Sequence, residues 1–228
     1  MILTVTAGKG GVGKSTVSYN LAALLDAVVV DGDLGMADLP HSSGPDLHDV
    51  LAGRADPTEA VRENGPVTIL PCGRSLAGIR AGTPSALVEA VAAVRRQYGR
   101  VVIDSPAGMR SDAGLPLFAA DACLLVTRPT TSAVADAVRA RELAREIGTP
   151  LTRVALNRVD PERLNRPSRD EQLATRLGAP VVPVPESTAV ERAQGHGLPV
   201  ARFDPDCLAA ERFRTLASAI ERTVRGGL

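Results

Sequence analysis

The sequence predicts an α/β fold, a three-layer, doubly wound and mostly parallel sheet flanked by helices, and it does so on two observations. Short, continuously apolar runs rich in valine, isoleucine and leucine recur along the 228 residues, and helix-like stretches separate them almost from end to end. Strands that are apolar on both faces suit a parallel sheet buried between helical layers, and strict alternation of strand with helix is the pattern of a doubly wound domain. The expected extent is one domain, residues 1–228, with no linker, internal repeat or low-complexity tract.

The expected strands are ILTVT (2–6), AVVVD (27–31), VTIL (67–70), RVVID (100–104), ACLLV (122–126), TRVALN (152–157) and PVVPV (180–184). Helices are expected near 14–25, 84–97, 131–147, 168–177, 187–194 and 206–225. Two of these openings have a capping residue followed by proline, Thr83-Pro84 and Asp160-Pro161, which suits a helix start. The segment 32–66 is rich in Gly, Pro, Asp and Ser and is expected to be an irregular, mobile surface region. The last helix carries Leu208, Phe213, Leu216, Ile220 and Val224 on one stripe, with Arg212, Arg214, Arg222 and Arg225 elsewhere; the stripe is expected to dock on the sheet rather than lie on a membrane.

Composition narrows the function. Basic and acidic residues balance at 26 each, so no global field recruits nucleic acid or anionic lipid. Cys72, Cys123 and Cys207 are scattered and form no CxxC pair, which argues against a disulfide framework and against a zinc or iron–sulfur site. His41, His48 and His196 lack ligand spacing. The N-terminus reads as a first strand rather than a signal peptide, and no run is long enough to span a membrane. The expected compartment is the cytoplasm, with peripheral placement at a membrane or pole left open.

The chemistry concentrates in TAGKGGVGKST (6–16), which holds the only two lysines of the chain, Lys9 and Lys14; every other basic residue is arginine. Gly8-x-x-x-x-Gly13-Lys14-Ser15 satisfies the GxxxxGK[ST] spacing between an apolar strand and a helix. Glycines 8, 10, 11 and 13 let the backbone approach an oxyanion closely, and the loop N–H groups, with those of Val12 and Thr16, form an anion nest at the positive end of the next helix. Lys14 is placed for the β/γ-phosphates and the Ser15 hydroxyl for a Mg²⁺ shell. Two strands then end in carboxylates. DGDLGMAD (31–38) puts Asp31 and Asp33 on one side of the chain, and VVIDSPAG (101–108) is an apolar run ending in Asp104, placed to face Mg²⁺ through a water.

KGGVGKST resembles the deviant signature KGGxGK[ST] of the MinD/ParA family of P-loop ATPases, and DSPAG resembles MinD in particular. The resemblance implies that Lys9 reaches the nucleotide of a partner subunit, which explains why a composition biased towards arginine retains a compact point charge there. It implies that Asp33, in the first switch, orients the attacking water and helps to hold Mg²⁺, that Asp104 belongs to the second switch, and that Asn157 contacts adenine. Asp38 stands where the family has Asn or Asp, Arg110 replaces a frequent acidic residue, and RPTTSAVADA (128–137) resembles NPExxSVRDAD, with Asp136 near the interface. NRVD (157–160) also resembles the guanine-reading NKxD; Asp160 is either a guanine acceptor or a helix cap, with the cap reading and ATP preferred. No basic amphipathic segment like that of bacterial MinD follows the last helix.

The implied function is an Mg·ATP-dependent homodimer that hydrolyses ATP as a switch for spatial positioning, with a protein partner that stimulates hydrolysis or is positioned. Two alternatives stay open. One is a partitioning ATPase of the ParA type, with DNA binding possible but not favoured. The other is an interaction module that nucleotide stabilises without turnover.

Overall fold

The computed structural model describes the chain apart from residues 35–38, 40–42, 74–83, 107, 109–112, 165 and 227–228. Asp38, His41, Thr83 and Arg110, singled out above, lie outside the described residues.

Seven strands form the sheet: β1 (Ile2–Thr6), β2 (Val28–Asp31), β3 (Ile69–Leu70), β4 (Val101–Asp104), β5 (Ala122–Thr127), β6 (Leu151–Val159) and β7 (Val181–Pro185). Their order is β3-β2-β4-β1-β5-β6-β7, and every strand pairing among the described residues is parallel. The helices are α1 (Lys14–Leu25), α2 (Leu47–Leu51), α3 (Pro84–Tyr98), α4 (Gly114–Ala119), α5 (Thr131–Ile147), α6 (Pro167–Leu177), α7 (Thr188–Gly195), α8 (Val200–Phe203) and α9 (Leu208–Arg225). Side chains alternate across the sheet, as the two-residue period of a strand requires. Leu3, Val5, Val29, Val102 and Leu124 pack on the layer that contains α1 and α9. Ile2, Val28, Val30, Val101 and Ile103 pack on the layer that contains α2 and α3.

Helices α4 and α8 were not expected, and three further elements depart from the sequence expectation. Residues 32–66 are not wholly an irregular surface segment: α2 sits within them, with Leu47 and His48 buried. Its start is a capping box in which Asp46 accepts from the Asp49 N–H and the Asp49 carboxylate accepts from the Asp46 N–H. Strand β3 is two residues long and lies at the sheet edge. Strand β6 runs on to Val159 because Arg158 takes a left-handed backbone (φ 54°), and the register slips there so that Val159 pairs with Pro185.

The C-terminal stripe docks inward as expected. Phe213, Leu216 and Ile220 are buried in the α1 layer, while Leu208 stays exposed. No helix among the described residues is long and apolar enough to cross a membrane.

The order of strands places β1 between β4 and β5, where successive connections leave in opposite directions. That reversal opens a crevice beyond the carboxyl end of β1, the usual ligand position of an open α/β sheet. The glycine loop occupies it.

Candidate active site

The loop between β1 and α1 is shaped by what presses on it. A methyl group at Gly8 would collide with the backbone carbonyl of Asp136 in α5, so only glycine lets the loop lie against that helix. Gly13 opens α1 with φ 91°, a left-handed conformation, and a methyl there would strike Asn157 Nδ2. The amide of Asn157 donates to the Val12 carbonyl at 2.8 Å and pins the loop from the end of β6. No side chain caps α1 and no acid sits in its first turn, so its leading N–H groups face the crevice with the helix dipole behind them.

Lys9, Gly10, Gly11, Gly13, Lys14, Ser15, Thr16 and Asp33 line one cavity of about 330 Å³, together with Arg158 and Gln194. Gly8 and Val12 complete the loop behind them, with Val12 buried. A narrower depression shares Thr16, Arg158 and Gln194 with this cavity and continues past Asn157, Pro185 and Glu186. The expected site residues are therefore gathered at this cavity, with Asn157 in the depression beside it and Asp104 buried beneath.

Two carboxylates lie under the loop. Asp31 and Asp104 are register partners on β2 and β4, and both are fully buried. Lys14 Nζ contacts Asp104 Oδ1 at 2.7 Å, and the Ser18 hydroxyl lies 2.9 Å from the same oxygen. Asp104 Oδ2 has no hydrogen-bond partner among the described residues, and neither oxygen of Asp31 is paired with a side chain there; only the backbone of Leu39 and Asp33 approaches Asp31. Burial, and secondarily the charge of Asp104, pushes the Asp31 carboxyl up to about 7; the backbone of Leu39 and Asp33 and the Lys14 ammonium oppose the shift. Buried polar atoms are normally satisfied, so the unpartnered Asp104 Oδ2 beneath an anion-binding loop fits hydrated Mg²⁺. The residues present suit that ion.

Backbone bonds tie the segments that follow β2 and β4 to each other and to the start of the loop. Gly32 donates to the Asp104 carbonyl at 2.9 Å, and Gly108 donates to the Ala7 carbonyl at 3.1 Å. The Ser105 hydroxyl donates to the Val5 carbonyl at 2.9 Å. Lys9 is half-buried and donates to Ser132 Oγ at 3.1 Å, at the start of α5. Asp136 pairs with Arg139 at 3.0 Å. Asp160 caps the 3₁₀ turn Pro161–Arg163, accepting from the Glu162 N–H at 3.0 Å, as the helix-cap reading expected.

Ser18, Ser132, Arg158 and Gln194 join the site without having been singled out in the sequence. Ser18 had a signal available, since it lies one helical turn beyond Lys14 and so on the same face. Arg158, Gln194 and Ser132 arrive from three separate elements, and only tertiary packing brings them in.

The sequence profile of the CobQ/CobB/MinD/ParA nucleotide-binding domain matches residues 3–200. The chain belongs to this family. Among MinD/ParA-type relatives, an uncharacterised ATP-binding protein of Methanocaldococcus jannaschii is 36% identical over 231 residues, covering 96% of this chain and 88% of its own length. The septum site-determining protein MinD of Bacillus subtilis is 29% identical, covering 96% of this chain and 88% of its own. Among solved structures, MinD of Pyrococcus horikoshii complexed with Mg-ADP superposes with a TM-score of 0.87 at 28% identity, over 99% of this chain and 97% of that one. The cell division ATPase MinD of Pyrococcus furiosus superposes with a TM-score of 0.85 at 30% identity, over 97% and 98%. The MinD/ParA family is one of P-loop ATPases.

Proposed function

We propose that this MinD/ParA-family protein binds Mg·ATP, pairs face to face with a second copy of itself, and hydrolyses ATP slowly as a switch. The switch sets its affinity for a partner at a positioned cellular structure. The observation that carries the reading is the pair of buried carboxylates, Asp31 and Asp104, of which Asp104 Oδ2 has no partner among the described residues, behind an uncapped glycine loop.

The triphosphate lies along the loop, where backbone N–H groups and the α1 dipole receive its charge. Lys14 turns from Asp104 to the β/γ-phosphates. Ser15, Asp33 and Asp104 hold Mg²⁺, which when bound neutralises phosphate charge. Asp33 accepts a hydrogen bond from the attacking water and sets it in line with the γ-phosphorus. Lys9, half-buried and bonded among the described residues only to a serine hydroxyl, is placed to leave its own subunit and stabilise charge developing across the dimer interface.

The base contact follows from Asn157. Its Nδ2 is committed to the Val12 carbonyl, which leaves Oδ1 as an acceptor suited to the exocyclic amine of adenine. Asp160 is engaged as a turn cap rather than as a guanine acceptor, which supports ATP over GTP.

Size-exclusion chromatography of the wild type and Asp33→Ala, each with ATP and with ADP, tests the switch. Dimers are expected with ATP only, and they should persist longer in Asp33→Ala because hydrolysis no longer removes the ligand. A monomer under every condition would refute the proposal.

A further inference from the structure

We propose that Ser18 is a positioning residue that takes over Asp104 when Lys14 moves to the phosphates. The inference rests on the Mg·ATP reading of the site. Ser18 is fully buried in α1, one turn beyond Lys14. Its Oγ lies 3.0 Å from the Lys14 carbonyl and 2.9 Å from Asp104 Oδ1. A serine hydroxyl has one proton to donate, so these two acceptors compete for it.

While the Lys14 ammonium sits 2.7 Å from Asp104 Oδ1, that oxygen is already satisfied by a charged donor. The serine proton is then free to bond back to the carbonyl four residues earlier, a common resting place for a helical serine. Nucleotide binding changes the balance. Drawing Lys14 onto phosphate removes the one cation that, among the described residues, is bonded to an entirely buried carboxylate. A buried carboxylate with no donor costs far more than the hydrogen bond it has lost. Among the described residues, Ser18 is the one other side chain that bonds Asp104, and its proton reaches Oδ1 by a rotation about a single C–O bond.

The exchange has two effects. It lowers the cost of releasing Lys14, because Asp104 passes from one donor to another without a step in which it has none. It also fixes Oδ1, so that Oδ2, which has no partner among the described residues, keeps its orientation towards the metal side. A serine that merely filled space in α1 would do neither.

The test uses the full chain and a fluorescent ADP analogue, titrated at a series of Mg²⁺ concentrations, with Ser18→Ala, Ser18→Thr and Ser18→Val. Loss of a hydrogen bond to a charged group predicts roughly tenfold weaker Mg·ADP binding in Ser18→Ala. The Mg²⁺ concentration that gives half-maximal binding should rise by a similar factor. Ser18→Thr keeps the hydroxyl and should bind within about threefold of the wild type, whereas Ser18→Val, the same shape without the hydroxyl, should bind as Ser18→Ala does. The Thr and Val pair decides the matter if alanine unfolds the chain, as circular dichroism would reveal. Ser18→Ala within twofold of the wild type, or Thr and Val weakened equally with the Mg²⁺ midpoint unmoved, overturns the role of Ser18 alone. A wild-type chain that binds no ADP at any Mg²⁺ concentration overturns the nucleotide reading, and this inference with it.

Discussion

Asp31 and Asp104 face each other across adjacent parallel strands, both fully buried, and the Lys14 ammonium bonds Asp104. Two carboxylates sharing one ammonium in a dry interior raise the cost of a second negative charge, and Asp31 is the group on which that cost falls.

The sign of the resulting pH dependence is fixed. The folded chain holds the Asp31 proton up to about 7, whereas an unfolded chain releases it near 3.8. Below the lower value both states are protonated and the group contributes no difference. Between the two values the unfolded state alone loses its proton, so stability falls as pH rises, and the full cost is in place above about 7. Asp31→Asn is expected to raise stability at pH 8 by on the order of 2–4 kcal/mol, with little change at pH 4. Urea denaturation without nucleotide or Mg²⁺ measures this, and parallel pH profiles for the two proteins would rule it out.

Lys9 and Lys14 are expected to separate by function. Lys14→Ala should abolish tight ADP binding. Lys9→Ala should keep monomeric ADP binding within about threefold yet lose the ATP-dependent dimer, because its one bonded partner among the described residues is the exposed Ser132. Lys9→Arg should fail in the same way, since a planar fork does not replace a compact ammonium in a glycine loop. Calorimetry with light scattering gives both readouts, and a dimeric Lys9→Ala would contradict the assignment.

The loop glycines are expected to differ in cost. Gly8→Ala drives a methyl into the Asp136 carbonyl and should destabilise by more than about 2 kcal/mol, an overpacking cost against backbone that cannot rotate away. Gly10→Ala meets nothing within 4 Å and should leave thermal stability almost unchanged. Equal melting temperatures for the two variants would show that the contact between the loop and α5 is not formed in solution.

On α9, Phe213→Ala should cost about 3–5 kcal/mol and Leu208→Ala less than about 0.5 kcal/mol, because the first is 1% exposed and the second 42%. Equal, small effects would mean that the helix is not docked on the sheet.

The parts of the molecule written locally were legible in the sequence. The glycine spacing sits directly between β1 and α1, Asp33 and Asp104 follow apolar runs, and the α9 stripe has a helical period. The elements that were missed depend on other signals. Helix α2 hid in a Gly- and Pro-rich segment because its capping box is Asp46-x-x-Asp49 rather than the usual Ser or Thr with Glu. The length of β6 turned on a left-handed Arg158, a conformation its side chain does not advertise. The convergence of Ser18 with Asp104 joins residues 86 positions apart, and no local pattern encodes it.

The confinement of both lysines to the glycine loop has a chemical consequence. Apart from its amino terminus, the chain presents amines nowhere else. Lys14 is 7% exposed and locked to a carboxylate, whereas Lys9 stands half-buried at the rim. An acylating reagent or an acetyltransferase that modifies a lysine of this protein therefore modifies its phosphate loop, and reaches Lys9 first. Cleavage by a lysine-specific protease is restricted to the same few residues, so one proteolytic fragment pattern reports whether that loop is covered.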